Sequence, residues 1–164
     1  MIRFSAALSA FCLLAFSATA EPARTESFAI KGNVDDPATI TLADLRHETP
    51  TTVEISQKTN HGPLTGKFTG VPLWTLLEKA GVTLEGGKKN DLLRHYLVVA
   101  AGDGYSTVLS LGEIAPEFGN AQAIVAYERD GKPIEGATGF ARLIVPGDKA
   151  AGRAISAIST IEVH

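Results

Sequence analysis

Residues 21–164 contain no cysteine, and this constrains the fold more than any other feature of the sequence. The one cysteine of the chain is Cys12. A domain built from residues 21–164 must therefore be stable without disulfides. Zinc–thiolate sites, iron–sulfur clusters, attached c-type haem and cysteine nucleophiles are excluded for the same reason. A segment of this length buries roughly two-thirds of its unfolded surface, which is enough for a core without cross-links.

The N-terminal segment has the pattern of an export signal. Arg3 supplies a positive charge, residues 4–16 are apolar, and residues 18–20 (Ala-Thr-Ala) form a small-x-small cleavage site. The apolar stretch is too short for a comfortable membrane span, and no second one follows it. We predict a signal peptide over residues 1–20 and one mature domain over residues 21–164. This domain is predicted to be periplasmic or secreted, with no membrane span after signal cleavage.

Composition and charge exclude several classes of protein. The chain has 15 basic and 18 acidic residues, 45% hydrophobic residues and no stripe of basic and aromatic side chains. It is therefore neither a disordered acidic tail nor a nucleic-acid-binding protein. The 4 histidines have no His-x-His or i, i+4 spacing, so no metal site is predicted. The sequence also lacks the motifs of serine hydrolases, zinc proteases and nucleotide-binding loops.

Hydrophobic periodicity predicts an α+β domain with six to eight short strands and two or three short helices. The clearest helix is 71–81, because Pro72 suits a first helical turn and Gly81 suits a left-handed C-terminal position. The apolar run 96–101 is predicted to be a strand buried on both faces. The sequence of residues 129–131, Arg-Asp-Gly, is typical of a hairpin turn. The other predicted elements are strands at 27–32, 51–56, 105–109, 122–127, 131–134, 141–146 and 154–163, short helices at 42–46 and 111–115, and a polar loop at 57–66.

Four segments, taken in order, resemble a known family. They are Phe68-Thr-Gly-Val-Pro-Leu-Trp-Thr-Leu-Leu77, Val98-Val-Ala-Ala-Gly-Asp-Gly-Tyr-Ser106, Ala123-Ile-Val-Ala-Tyr-Glu-Arg-Asp-Gly-Lys-Pro-Ile134, and Gly139-Phe-Ala-Arg-Leu-Ile-Val-Pro146 followed by Gly152-Arg-Ala-Ile and Ile161-Glu-Val. Together they resemble the oxidoreductase molybdopterin-binding domain of the sulfite oxidase superfamily. The resemblance implies a sulfite-oxidase-type α+β fold, with mixed short strands and a few short helices. In full family members this fold holds a molybdopterin cofactor, whose molybdenum is ligated by one cysteine thiolate in a loop before the Phe68 segment.

The sequence departs from the family pattern in that loop. The corresponding segment is Ser56-Gln-Lys-Thr-Asn-His-Gly62, which contains no cysteine, although thiolate is a good donor to molybdenum. Arg153 and Ser156 stand where the family tends to present two lysines to the pterin phosphate. We therefore predict a degenerate binding or accessory module, a pseudoenzyme candidate that lacks the molybdenum-ligating cysteine. Its predicted partners are a small anionic ligand or pterin and a periplasmic protein.

Two alternatives stay open. An active molybdopterin-dependent oxidoreductase would use a non-cysteine ligand, for which Ser56, Thr59 and His61 are candidates, or a metal held by the dithiolene alone. An unrelated exported α+β domain would share these motifs only as packing and turn signals.

Five residues are predicted to bind a cofactor or anion if a pocket is present: Asn60, His61, Tyr105, Arg142 and Arg153. Asn60 and His61 lie in the former ligand loop, and Tyr105 follows an Asp-Gly turn. Arg142 offers a forked pair of donors to an oxyanion, and Arg153 is placed near a phosphate. Four of the five have a structural alternative: turn formation for Asn60 and His61, packing for Tyr105, and an ion pair at the sheet edge for Arg142. No catalytic residue is predicted.

Overall fold

The computed structural model describes residues 26–136 and 139–164, so the predicted signal peptide lies outside the described residues. None of the helices described has the length and apolar character of a membrane span. The strands are β1 (Ser27–Gly32), β2 (Ala38–Thr41), β3 (Thr51–Gln57), β4 (Leu64–Pro72), β5 (Tyr96–Ala101), β6 (Ser106–Ser110), β7 (Ile124–Arg129), β8 (Lys132–Pro133), β9 (Arg142–Ile144) and β10 (Ile158–Val163). The α-helices are α1 (Leu42–His47), α2 (Leu73–Ala80) and α3 (Leu111–Ile114), and short 3₁₀ helices lie at Asp91–Arg94 and Ala151–Arg153. The described strands thus outnumber the six to eight predicted.

The first sheet has the strand order β2-β1-β10-β5-β6. β1 and β10 are parallel, with Ala29 opposite Thr160, and the other strand pairs are antiparallel. Along β5 buried residues alternate with more exposed ones, so the prediction of a strand buried on both faces is wrong. Leu97, Val99 and Ala101 pack on the core from one face of this sheet. Val98 and Ala100, on the other face, are also apolar but only partly buried, and this is why the sequence looks like a strand buried on both faces.

The second sheet has the order β3-β4-β7, and β8 and β9 both pair with the far edge of β7. The loop predicted over 57–66 is shorter than expected, since β4 begins at Leu64 and pairs with β3 along its length. The helix predicted over 71–81 begins at Leu73, because β4 continues through Pro72. β7 contains a bulge: Thr69 pairs with Glu128 but Gly70 pairs with Ala126, so Tyr127 is an extra residue.

Apolar side chains cover both faces of the second sheet. The main core lies between the two sheets and includes Leu73 and Leu77 of α2 and Val125 and Tyr127 of β7. A smaller cluster lies on the opposite face of the second sheet. It consists of Ile55, Phe68, Ile124, Ala126 and Ile144, with Ala154 and three other partly buried residues packed against it. We call this opposite side the cluster face.

Helix α1 begins with a capping box. The hydroxyl and backbone N–H of Thr41 donate to the carboxylate of Asp44 at 2.6 and 2.8 Å, and the Asp44 N–H donates back to Thr41 Oγ1 at 3.3 Å. These hydrogen bonds from Thr41 lower the pKa of Asp44 below its ordinary value. The carboxylate therefore supports the helix above its unfolded-state pKa, and this support is lost as the pH falls through the lowered value.

Thr41→Ala is expected to reduce the free energy of unfolding by about 1 kcal/mol, the usual effect of losing an N-cap side chain. The same change should raise the pKa of Asp44 towards its ordinary value, which NMR titration of the carboxyl group measures. Thr39→Ala, at an exposed position of β2, is the matched control and should leave Asp44 unaffected. An unchanged Asp44 pKa in Thr41→Ala would contradict the proposed cause of the shift.

Candidate functional site

A pocket of about 400 Å³ on the cluster face brings three basic side chains together. They are Arg142 from the start of β9, Arg129 from the end of β7 and Lys132 from β8. The lining consists of Phe68, Arg129, Asp130, Lys132, Pro133, Ile134, Glu135 and Arg142. We call this the basic pocket.

Arg142 is half-buried at this pocket, and its guanidinium group hydrogen-bonds to an uncharged side chain, that of Ser156. Its Nε donates to Ser156 Oγ at 3.0 Å, and its Nη2 donates to the same hydroxyl. Burial lowers the pKa of Arg142, and the positive charge of Arg129 lowers it further. The lowered pKa means that the surroundings disfavour the guanidinium charge, as expected for a cation whose neighbours do not neutralise it.

Sequence reasoning missed Arg129 and Lys132. The Arg129 guanidinium lies over the ring of Phe68, with its carbon 5.6 Å from the ring centroid. Its Nη2 donates to the carbonyl of Thr65 at 2.5 Å, and its Nε lies 3.6 Å from Asp130 Oδ2. The available signal was the hairpin Arg129-Asp130-Gly131, which the structure confirms between β7 and β8 but which was interpreted only as a turn.

Tyr105 and Arg153 meet at the 3₁₀ helix Ala151–Arg153. The Tyr105 hydroxyl donates to the carbonyl of Gly152 at 2.8 Å. Arg153 forms ion pairs with Asp148 at 2.6 Å and Glu113 at 2.9 Å. Hydrogen bonds to Asp148, and then to Glu113, raise the pKa of Arg153. The guanidinium of Arg153 is thus already engaged by two carboxylates.

The loop between β3 and β4, which carries Asn60 and His61, closes on itself. Thr59 Oγ1 donates to the carbonyl of Gly62 at 2.5 Å and accepts from the His61 N–H at 3.0 Å. Asn60 and His61 are exposed, and their part of the loop has the geometry of a turn. The base of the loop is joined to the segment before Arg153, because Lys58 forms a parallel bridge with Ala150.

One buried polar side chain stands at the start of this loop. Gln57 is 1% exposed, and its Nε2 donates to the carbonyl of Val145 at 2.7 Å. Its Oε1 is buried and has no hydrogen-bond partner within the described chain. The structure thus places Tyr105 and Arg153 at the segment 148–153, to which the loop that carries Asn60 and His61 is joined at its base through Lys58, and it places Arg142 in the basic pocket.

Comparison with known proteins identifies the family. The family model described as oxidoreductase molybdopterin binding domain matches residues 17–164. The chain belongs to this family. The predicted family and fold class are therefore confirmed, and the alternative of an unrelated α+β domain is wrong.

The fold of this molybdopterin-binding domain is also found in a solved structure. The crystal structure of the sulfane dehydrogenase SoxCD from Paracoccus pantotrophus matches with a TM-score of 0.65 and 19% sequence identity. The match covers 84% of this chain but 38% of the SoxCD chain. At this identity the likeness shows a shared fold alone. None of the curated proteins matches the sequence.

Proposed function

We propose that this chain is an exported binding or accessory module of the molybdopterin-binding-domain family, in which the protein supplies no ligand to molybdenum. The module is periplasmic or secreted, takes a small anion or a pterin as its ligand and acts alongside a periplasmic protein partner. It is a degenerate member of the family, which keeps the fold without the metal chemistry.

The observation that carries this proposal is the donor set of the former ligand loop. Between Ser56 and Gly62 the loop offers no thiolate, and its buried polar atom is the neutral amide oxygen of Gln57. Molybdenum in this family takes a soft, negatively charged sulfur donor, which an uncharged, hard amide oxygen does not replace. Among the described residues no group of His, Cys, Asp and Glu side chains is placed to hold a metal ion. The residues present therefore do not fit thiolate-ligated molybdenum.

The alternative of an active oxidoreductase with a non-cysteine ligand has less support. The hydroxyl of Thr59 is engaged on both sides within its own loop, by Gly62 and by His61. Ser56 and His61 are exposed, so a metal bound there would face solvent rather than a protected site. These positions agree better with a surface turn than with a metal centre.

We expect protein exported from a molybdenum-replete host to contain far less than one molybdenum atom per chain. Mass spectrometry of the metals and fluorescence of oxidised pterin, both on freshly purified protein, measure this. A family member that has the ligating cysteine, produced in the same host, is the control and should be loaded. Stoichiometric molybdenum in this protein would overturn the proposed function and favour the oxidoreductase.

A further inference from the structure

We propose that Arg129, Lys132 and Arg142 form a binding site for a doubly charged oxyanion, of the kind carried by a phosphate monoester or by sulfate. The proposal deepens the binding role argued above, on which it rests, by naming the residues and the ligand chemistry.

The bulge in β7 places Arg129 at this site. In a regular strand, side chains alternate between the faces, so Arg129 would point to the same side as Val125 and Tyr127, into the main core. Because Tyr127 is an extra residue, Arg129 instead lies opposite Phe68, which belongs to the cluster face. Bulges re-aim side chains in this way next to functional sites. Two arginines from different strands thus reach one pocket.

The two arginines keep donors for a ligand. The described hydrogen bonds of Arg142 use its Nε and Nη2, and the contacts of Arg129 to Thr65 and Asp130 use the same two nitrogens. In neither side chain does Nη1 donate to any residue that the structure describes. A guanidinium presents these N–H groups in a plane that suits the oxygens of phosphate or sulfate.

The charges around the pocket favour an anion. Arg142 is half-buried and close enough to Arg129 for the two positive charges to disfavour each other. Two carboxylates also line the pocket. One is Asp130, which lies 3.6 Å from Arg129 Nε and accepts from the Lys67 N–H at 2.9 Å, so it also stabilises the hairpin. The other is Glu135. An anion bound between the guanidinium groups would relieve their repulsion, and a doubly charged one would do so more strongly than a singly charged one.

The size and lining of the pocket admit more than a bare oxyanion. Its volume of about 400 Å³ exceeds that of a phosphate group, and Phe68, Pro133 and Ile134 supply apolar surface beside the cations. A monoester, with its oxyanion on the arginines and its substituent on the apolar wall, uses both parts. Sulfate uses the cations alone, so the two sources of this chemistry can be compared directly.

Isothermal titration of the exported protein at pH 8 and low salt tests the charge requirement. The probes are methyl phosphate, dimethyl phosphate and sulfate. Methyl phosphate is doubly charged at this pH because the second pKa of a phosphate monoester is about 6. We expect methyl phosphate to bind at least about tenfold more tightly than singly charged dimethyl phosphate. The affinity for sulfate, compared with that for methyl phosphate, then shows whether the site prefers sulfate or a phosphate monoester. Equal affinity for the two phosphate esters, or no binding of methyl phosphate or sulfate, would overturn the proposal.

Two variants test the residues. Arg129→Ala and Arg142→Ala are each expected to weaken methyl phosphate binding by about tenfold or more, the usual effect of losing a charged hydrogen bond. Arg94→Ala removes the same charge from an exposed 3₁₀ helix, where Arg94 lies 3.7 Å from Asp91, and should leave binding unchanged. Removal of the half-buried Arg142 can disturb folding, so Arg129, whose side chain is 45% exposed, carries the decisive test. Unchanged binding in a folded Arg129→Ala protein would overturn the assignment.

Molybdenum content is measured on the same preparations, so that the two proposals fail separately. Stoichiometric metal would overturn the proposed function. Loss of the charge preference in metal-free protein would overturn only this site.

Discussion

Gly70→Ala is expected to destabilise the domain by about 3 kcal/mol. Gly70 lies in β4 opposite Ala126, at the bulge of β7. A Cβ atom at this position would lie 2.2 Å from the carbonyl oxygen of Val125 and 2.4 Å from Ala126 Cα. These are backbone atoms in the middle of a sheet, so they cannot rotate away as a side chain would, and the two strands must separate.

Equilibrium unfolding in urea measures this loss. Gly86→Ala is the matched control, because a Cβ at Gly86 has no heavy atom within 4 Å and the residue has no left-handed backbone conformation. This change should alter the free energy of unfolding by less than about 0.5 kcal/mol. A Gly70→Ala protein as stable as the Gly86→Ala protein would show that the sheet tolerates a wider spacing there, against the prediction.

Gln57→Glu is expected to cost about 3 kcal/mol of stability near neutral pH. The introduced carboxylate has no N–H to donate to the carbonyl of Val145, which accepts from Gln57 Nε2 at 2.7 Å in the parent protein. Two oxygens would then face each other, and one would carry a charge at a position that is 1% exposed in the parent. Burial of an unpaired carboxylate is among the most destabilising single changes in a protein.

The pH dependence gives this variant a distinctive signature. Burial raises the folded-state pKa of the introduced carboxyl above its unfolded value of about 4.3. The protonated acid can donate to Val145, so the cost is smallest at acid pH and grows as the pH rises above the unfolded pKa. Unfolding at pH 4 and pH 8 measures the difference. Gln122→Glu, at an exposed position, should be nearly neutral at both values. Equal stability of Gln57→Glu and its parent at pH 8 would contradict the buried, solvent-free environment of Gln57.

Most of the fold follows from local patterns in the sequence. The capping box at Thr41, the helix that ends before Gly81 and the Asp130-Gly131 hairpin all lie where turn and cap chemistry predicts them. β4 is the main exception. Glycines and Pro72 make its sequence look like a loop leading into a helix, but pairing with β3 and β7 satisfies its backbone over nine residues. This pairing is non-local, and a pattern within β4 alone does not indicate it.

The candidate site was predictable only in part, and the reasons differ between residues. Arg142 is recognisable because a lone arginine begins an otherwise apolar strand. The burial of Gln57 follows from the alternation of β3, in which Ile55 is the preceding inward residue, so that signal was present and unused. The partners of Arg153 were not predictable, since Glu113 is distant in sequence. The face on which Arg129 lies is set by the register between β4 and β7, and the periodicity within β7 alone does not reveal that register.

Because β7 has an extra residue, the face of the sheet on which Arg129 lies depends on the pairing and number of residues in the strand and not only on their types. Deleting the extra residue would restore regular alternation along β7 and leave Arg129 opposite Phe68, whereas a regular strand that kept all its residues would turn Arg129 towards the main core. An arginine aligned with Arg129 in a relative therefore reaches the equivalent pocket where the strand has the same number of residues with the bulge, or one residue fewer without it. The residue that pairs with Phe68, rather than a position in an alignment, therefore shows which side chain reaches the pocket.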